Sequence, residues 1–445
     1  MGADNSGEVL ELAPFRGLRY ATRDARALLD SPLLNLALAL APPYGVIDAA
    51  GLTRLMRAAS HNAVWLTVPP AGQGWAGYPP GLSGPDRYGN AARTLQAWIA
   101  AGVLVRDSVP ALYVYEQRLS DGTQQRGLVG ALRLPEPGST TVRPHEEVME
   151  GPVVDRTRLM RATRANLEPI LLLYQGGHGA ERGAASRVAE TIASSDGTPL
   201  VDTVTDDGRT HRLWAVDDAA TVAAINTDLA GRSALLADGH HRYAAYQRLR
   251  GGAGAGPWGY GLALLVDSEA YPPTLGTIHR VISNLTPASA ADAARTVAEV
   301  AELASGRLSA AVETLHAAAA TGPALLLAGS HRFYLLHGFS ASGIAQAMPG
   351  HSPLWRELPT AVLEHLLLPL WGATEAPPRF VHDDPAAALA AARQDRDCAV
   401  IVPPMRVADI YTLAGRGELT PRKSTSFGPK PRTGLVMRTI DETTE

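Results

Sequence analysis

The chain has 445 residues, a formal net charge of −4, 46% hydrophobic residues and 19% charged ones. Those figures describe a globular protein large enough for two or three domains, with no bulk attraction for nucleic acid or an anionic membrane. A single cysteine, Cys398, excludes an internal disulfide and a cysteine-based metal cluster, and no uninterrupted apolar run reaches the roughly eighteen residues of a spanning helix.

Residues 1–13 lack a basic-then-apolar leader and read as a frayed tail, so a cytoplasmic location is expected. Leu36 to Leu40 is apolar and stops at Pro42-Pro43-Tyr44-Gly45. Residues 62–68 have the composition of a strand, 72–86 that of a long Gly- and Pro-rich loop, and 90–101 a helical apolar face. Two alternating runs, 112–118 and 127–134, predict paired strands around Ser120-Asp121-Gly122, with Trp98, Tyr113 and Tyr115 as core aromatics. A Pro- and Gly-containing stretch after Leu134 marks a boundary.

Beyond it lie Arg143-Pro144-His145-Glu146-Glu147, a helix over 154–167, a strand over 169–174 and a glycine-rich loop over 176–182. A hairpin over 200–215 turns at Asp206-Asp207-Gly208, and a helix covers 218–229. Strands follow at 261–267 and around Thr277-Ile278-His279-Arg280-Val281. Residues 288–320 are Ala-rich and read as helical. Strand and helix then alternate to about Ile410, with Cys398 in a buried strand. The expected organisation is therefore α/β, with an N-terminal region over 14–135, a core over 136–290 and a C-terminal region over 291–445.

The most informative segment is Leu235 to Arg250, where an apolar run meets Asp238-Gly239-His240-His241-Arg242 and a helical pattern begins. The N-terminus of a helix offers backbone N–H groups and a positive dipole end, so it favours an anion. Two imidazoles and a guanidinium there make phosphate the natural guest. The competing reading is a capped helix carrying two surface histidines. A single metal would rarely take both His240 and His241, because adjacent helical residues point apart.

Lysine usage adds a second signal. Lys and Arg total 40, yet only Lys423 and Lys430 are lysines, both in Arg422-Lys423-Ser424-Thr425-Ser426-Phe427-Gly428-Pro429-Lys430. A GC-rich genome accounts for the depletion but not for two survivors in one segment. A compact ammonium that Arg cannot mimic does account for them. Pro144-His145-Glu146-Glu147 places a histidine and two carboxylates beside a turn. A carboxylate near a phosphate can take a proton from a hydroxyl nucleophile or hold a divalent cation, although acids at a helix N-terminus also need no further reason. No GxxxxGK[ST] phosphate loop is present.

These segments, with Ala13-Pro14-Phe15-Arg16-Gly17, Ala41-Pro42-Pro43-Tyr44-Gly45, Ala111 to Gln117 and Thr277 to Arg280, resemble the DUF1015 family along nearly the whole chain. The Asp238-to-Tyr243 segment also resembles the phosphate box of the ParB/sulfiredoxin superfamily, which implies a ParB/sulfiredoxin-like nucleotide-binding core between flanking α/β regions. Sulfiredoxin places its catalytic cysteine where this chain has His240, so reductase chemistry is not implied. The free-serine kinases of that superfamily pair a Pro-His-Glu segment with a later Asp-Gly-His-His-Arg segment, and both occur here, separated by an inserted loop and hairpin over 176–214.

That resemblance implies phosphoryl transfer from a nucleotide or other phosphate donor to a small hydroxylated metabolite, free L-serine first among them, with Mg²⁺ to neutralise charge. Glu146 would be the base, with His145 and His240 beside it in catalysis. Asp238, Gly239, His240, His241, Arg242, Lys423, Ser424 and Thr425 would bind phosphate, and His279 and Arg280 substrate. The rival class is a nucleotide-operated switch or scaffold without turnover. The sequence leaves the metal ligands and oligomeric state open and calls for no membrane or nucleic-acid partner.

Overall fold

The computed structural model describes residues 8–21, 35–70, 86–251, 256–303, 307–329, 332–374, 378–392 and 396–440. The chain is α/β and folds as two compact units. One comprises residues 1–143, 148–273 and 429–445, the other 144–147 and 274–428.

The first unit is built on a large mixed sheet. Its strands include β1 (Leu12–Ala13), β2 (Leu112–Arg118), β3 (Gln124–Arg133), β4 (Ile170–Tyr174), β5 (Val201–Val204), β6 (Thr210–Val216), β7 (Ala234–Asp238) and β8 (Tyr260–Asp267). They lie in the order β7-β4-β8-β3-β2-β6-β5, with β1 on β3. Only β4 and β8 among these neighbours run parallel; the other ladders are antiparallel. The same unit carries helices α1 (Arg87–Ala100), α2 (Glu150–Thr163), α3 (Ala184–Ser194), α4 (Ala219–Leu229) and α5 (His240–Arg250). Leu112, Val114, Leu128, Ile170, Leu172, Leu236 and Leu265 form its core with Ile225 and Leu229 of α4 and Tyr243 and Tyr246 of α5. Gly261 permits that packing, because a Cβ there would sit 2.4 Å from the Tyr246 ring.

The second unit carries a six-stranded antiparallel sheet. Its strands are β10 (Ile278–Ser283), β11 (Glu299–Leu303), β12 (Leu325–Ala328), β13 (Phe333–His337), β14 (Arg379–His382) and β15 (Asp397–Ile401), in the order β11-β13-β12-β15-β10-β14. A two-stranded ladder, β9 (Thr274–Gly276) with β16 (Ser426–Gly428), stands apart. Successive side chains of a strand point to opposite faces, and both faces are covered. Leu325, Leu327, Cys398 and Val400 enter one core with α6 (Pro287–Ala294), while Leu326, Ala328, Ala399 and Ile401 enter another with α7 (Leu308–Ala319). Two-sided burial explains the unbroken apolar runs Leu325-Leu326-Leu327-Ala328 and Cys398-Ala399-Val400-Ile401, and it places Cys398 in a buried strand as expected.

Several elements differ from the sequence reading. The tail expected over 1–13 is ordered from residue 8, with Leu10 and Leu12 buried and Leu12 paired to Leu132; residues 1–7 lie outside the described set. Residues 62–68 form a helical turn at Val64–Thr67, not a strand. All four of its side chains are buried, and a short run buried all round carries no period to separate the two states. The loop expected over 72–86 lies almost wholly outside the described residues. The helical reading of 288–320 is interrupted by strand β11, whose alanine- and glutamate-containing sequence is held by pairing to β13. The units also cut the chain differently from the three segments expected. The second begins near Thr274, and the C-terminal stretch after Pro429 belongs to the first. That stretch buries Leu435, Val436, Met437 and Ile440 and exchanges backbone hydrogen bonds with Ala41 and Leu18, partners far away in sequence that local patterning cannot reveal. Among the described residues no helix is long and apolar enough to cross a membrane.

Candidate functional site

In the second unit, the Pro144–Glu147 segment runs beside Thr420. Thr420 N–H donates to the His145 carbonyl at 2.7 Å and Glu147 N–H to the Thr420 carbonyl at 3.1 Å. This ladder delivers Glu146 to the turn that follows Lys423. Lys423 adopts φ 57°, a left-handed conformation that costs a side-chain-bearing residue about 1–2 kcal/mol. The next two amides then point at one place. Glu146 Oε2 accepts from Ser424 N–H at 2.9 Å, Thr425 N–H at 3.2 Å and Thr425 Oγ1–H at 3.3 Å. Successive backbone amides converging in this way form an anion-binding nest, here filled by the protein's own carboxylate.

Burial pushes the Glu146 carboxyl up despite the Lys423 ammonium and the backbone amides beside it. A buried carboxylate held from one oxygen and raised in basicity can act as a general base. His145 is fully buried next to it; its Nε2 shares a 2.8 Å hydrogen bond with Thr425 Oγ1, and its ring meets Phe427 edge-on at 5.3 Å. Ser424 Oγ turns inward, donating to the Pro421 carbonyl at 2.6 Å and pairing with Thr360 Oγ1 at 2.8 Å.

His279 and Arg280, expected at a substrate, are instead buried by their own unit at 2% and 0% exposure. Strand β10 puts them on opposite faces. His279 Nδ1 accepts from Val402 N–H at 3.2 Å. Arg280 donates to the Ile278 carbonyl, to Glu364 Oε1 at 3.2 Å and to the Arg422 carbonyl at 3.2 Å. Its Nη atoms thus tie strand β10 to Glu364 and to the turn before Lys423. Burial, helped by the Arg280 charge, holds the His279 imidazole down to about 4.

That depression has a measurable consequence. Between pH 6.5 and about 4 the unfolded chain binds a proton at this residue that the folded chain refuses. Stability is thus fully present above pH 6.5 and falls by about 1.4 kcal/mol per pH unit within that window. Urea unfolding at pH 7 and pH 5 checks this: the difference for the native chain should shrink in His279→Gln.

In the first unit, strand β7 ends at Asp238, and Gly239 caps α5 with φ 94°. Gly239 is required twice over: its backbone is left-handed, and a Cβ would sit 2.8 Å from Ile170 and 3.1 Å from Arg242 Nη2. Arg242 is buried. It donates to Asp238 Oδ2 at 2.7 Å and to the Pro169 carbonyl at 2.6 Å. Lys430 Nζ forms an ion pair with Asp238 Oδ1. Burial alone would raise the Asp238 carboxyl, but Lys430, Arg242 and His240 hold it well below the usual carboxylate range. His241 Nε2 accepts from Met149 N–H at 3.1 Å, and His240 is 8% exposed.

Around this ion triad lie four residues that the sequence reading did not assign. Tyr44 lies under the Arg156 guanidinium at 4.2 Å and near that of Arg242 at 5.9 Å. Glu168 Oε1 accepts from Tyr44 N–H and from Thr433 Oγ1–H, both at 2.9 Å. The Pro42-Pro43-Tyr44 stop was visible as a pattern, but nothing local pairs it with Glu168.

The structure therefore assembles the sequence candidates in two groups: His145, Glu146, Lys423, Ser424 and Thr425 in the second unit, and Asp238, Gly239, His240, His241, Arg242 and Lys430 in the first. Among the described residues no group of three or more His, Cys, Asp or Glu is placed to hold a metal. Both Asp238 oxygens already face cations, and Glu146 Oε2 faces three donors. These carboxylates do not fit a preformed Mg²⁺ cage.

No curated protein matches the sequence. Among solved structures, a free serine kinase in complex with AMP is 13% identical, with 68% of this chain and 88% of that chain covered at a TM-score of 0.37. SbnI with a C-terminal truncation, from Staphylococcus aureus, is 9% identical, covering 69% and 85% at 0.35. A conserved hypothetical protein from Pyrococcus furiosus is 15% identical, covering 68% and 94% at 0.34. No residue role follows from likenesses of this size. The family model described as "Protein of unknown function (DUF1015)" matches residues 12–361, more than half of the sequence, and the chain belongs to that family.

Proposed function

We propose that this chain is a phosphotransferase moving a phosphoryl group from a nucleotide or other phosphate donor to a small hydroxylated metabolite, with free L-serine as the first acceptor to test. The observation that carries the reading is Glu146: a buried carboxylate, raised by burial and fixed by Ser424 and Thr425. In this reading Glu146 takes the acceptor's hydroxyl proton, and His145 fixes Thr425 beside it. The Gly239 helix start binds donor phosphate through backbone amides, His240 and His241. Lys423 supplies an ammonium where negative charge develops. Arg242 holds Asp238 and the turn in shape. Mg²⁺ would have to arrive with the donor's phosphates, and a cytoplasmic location belongs to the same proposal.

One observation favours the rival reading, a nucleotide-operated switch without turnover. Lys430 is already paired with Asp238, so an anion competing for that ammonium would release the C-terminal segment that carries it. Calorimetric titration with ATP, ADP and pyrophosphate tests the phosphate assignment shared by both readings. Replacing His241 by Ala should weaken donor binding by about 1.5–3 kcal/mol, the scale of a hydrogen bond to a charged group. Equal affinity in the variant would remove His241 from the phosphate site.

A further inference from the structure

Glu364 belongs to no motif in the sequence reading, yet it ends a chain of contacts that leads to Glu146. Residues Pro359–Val362 start a helix that widens to a π-helical turn at Leu363–Leu367. Such turns are rare and often mark functional positions. Here Leu363 and Leu367 stay in the core, His365 packs edge-on against Trp355 at 5.3 Å, and Glu364 meets Arg280 Nη2 at 3.2 Å. The same Nη2 donates to the Arg422 carbonyl at 3.2 Å. Arg422 directly precedes the left-handed Lys423, and the amides of Ser424 and Thr425 follow it onto Glu146.

We infer that Glu364 is a positioning residue: through Arg280 it anchors the Arg422 carbonyl and so holds the 422–425 turn in the left-handed geometry that clamps Glu146. A buried guanidinium needs a carboxylate partner to stay in place, and Glu364 is the one that Arg280 contacts among the described residues. The strained φ at Lys423 relaxes unless its neighbours over-determine it. Anchoring the carbonyl before it and the amides after it does so. The anchoring stands on geometry alone; its consequence for chemistry rests on Glu146 being the base.

Amide hydrogen exchange of the full chain tests the anchor, read at Ser424 and Thr425 and, as an internal reference, in the β12–β13 hairpin. Glu364→Ala should speed exchange of the two clamp amides at least about tenfold and leave the hairpin unchanged, the signature of local opening. Glu364→Gln keeps an acceptor for Arg280 and should restore exchange to within about twofold of the native rate. If Glu364→Ala does not fold, Glu364→Asp, shorter by one methylene, is read in the same way. Native exchange at Ser424 and Thr425 in a folded variant would overturn the anchor, as would acceleration shared equally by the hairpin. If turnover is found, kcat should fall in Glu364→Ala and recover in Glu364→Gln. Faster clamp exchange in Glu364→Ala, together with a fully active Glu146→Gln variant, would reject the base and leave the anchor standing.

Discussion

Glu146→Gln is expected to cut phosphoryl transfer by roughly 10²–10⁴-fold while leaving donor affinity unchanged. The substitution keeps the shape and keeps an oxygen that can accept from Ser424 N–H and Thr425 N–H, so the clamp itself should survive. What it removes is a site for the acceptor's proton. Because burial raises the Glu146 carboxyl, the acid limb of the native pH–rate profile should lie above the range of an ordinary glutamate, and that limb should vanish in the variant. Single-turnover kinetics with saturating donor measure the loss directly. A parallel loss of donor binding would make Glu146 a structural or metal-binding residue, and a larger effect from the exposed Glu147 would mean the wrong carboxylate had been assigned.

The largest stability effect is expected from Arg242→Ala. The sequence pattern alone makes Arg242 a phosphate ligand whose loss mainly weakens binding. Its geometry makes it first a buried partner of Asp238 and of the Pro169 carbonyl. Removing one member of a buried pair typically costs about 3–5 kcal/mol, because the other charge is left behind. Lys430 keeps Asp238 partly compensated, which places the expected loss at the lower end. Urea unfolding at pH 7 gives the number. The pH dependence supplies a signature. Asp238 is depressed in the folded state, so its stabilisation is fully present above its unfolded value of about 3.9 and is lost as the pH falls toward the folded one. Arg242→Ala should narrow that acid window. A variant as stable as the native chain would show that the ion triad contributes nothing.

Much of the fold was legible because its signals are local. The strands over 112–118 and 124–133 alternate and turn on Asp-Gly, the 201–216 hairpin turns at Asp206-Asp207-Gly208, and Asp218 caps its helix through Thr221 N–H. Val64–Thr67 misled because it is buried on every side, and β11 because it lies inside an alanine-rich stretch where pairing to β13 decides the conformation. The site was legible in part. Pro144–Glu147 and Lys423–Thr425 each stand out by residue type, and Glu146 reaches Ser424 across 278 positions. The left-handed turn at Lys423, the π-turn that carries Glu364 and the pairing of Glu168 with Tyr44 and Thr433 are set by tertiary packing and leave no short-range pattern.

Turnover is read by ³¹P NMR of the full chain with a phosphate donor, Mg²⁺ and a panel of small hydroxylated acceptors including L-serine. A new phosphomonoester resonance is expected that depends on one acceptor, grows with a matching loss of donor, and disappears in Glu146→Gln. Donor that binds but yields no phosphorylated acceptor under any combination would contradict phosphoryl transfer and leave the nucleotide-operated switch as the reading of the Asp238–Arg242 turn.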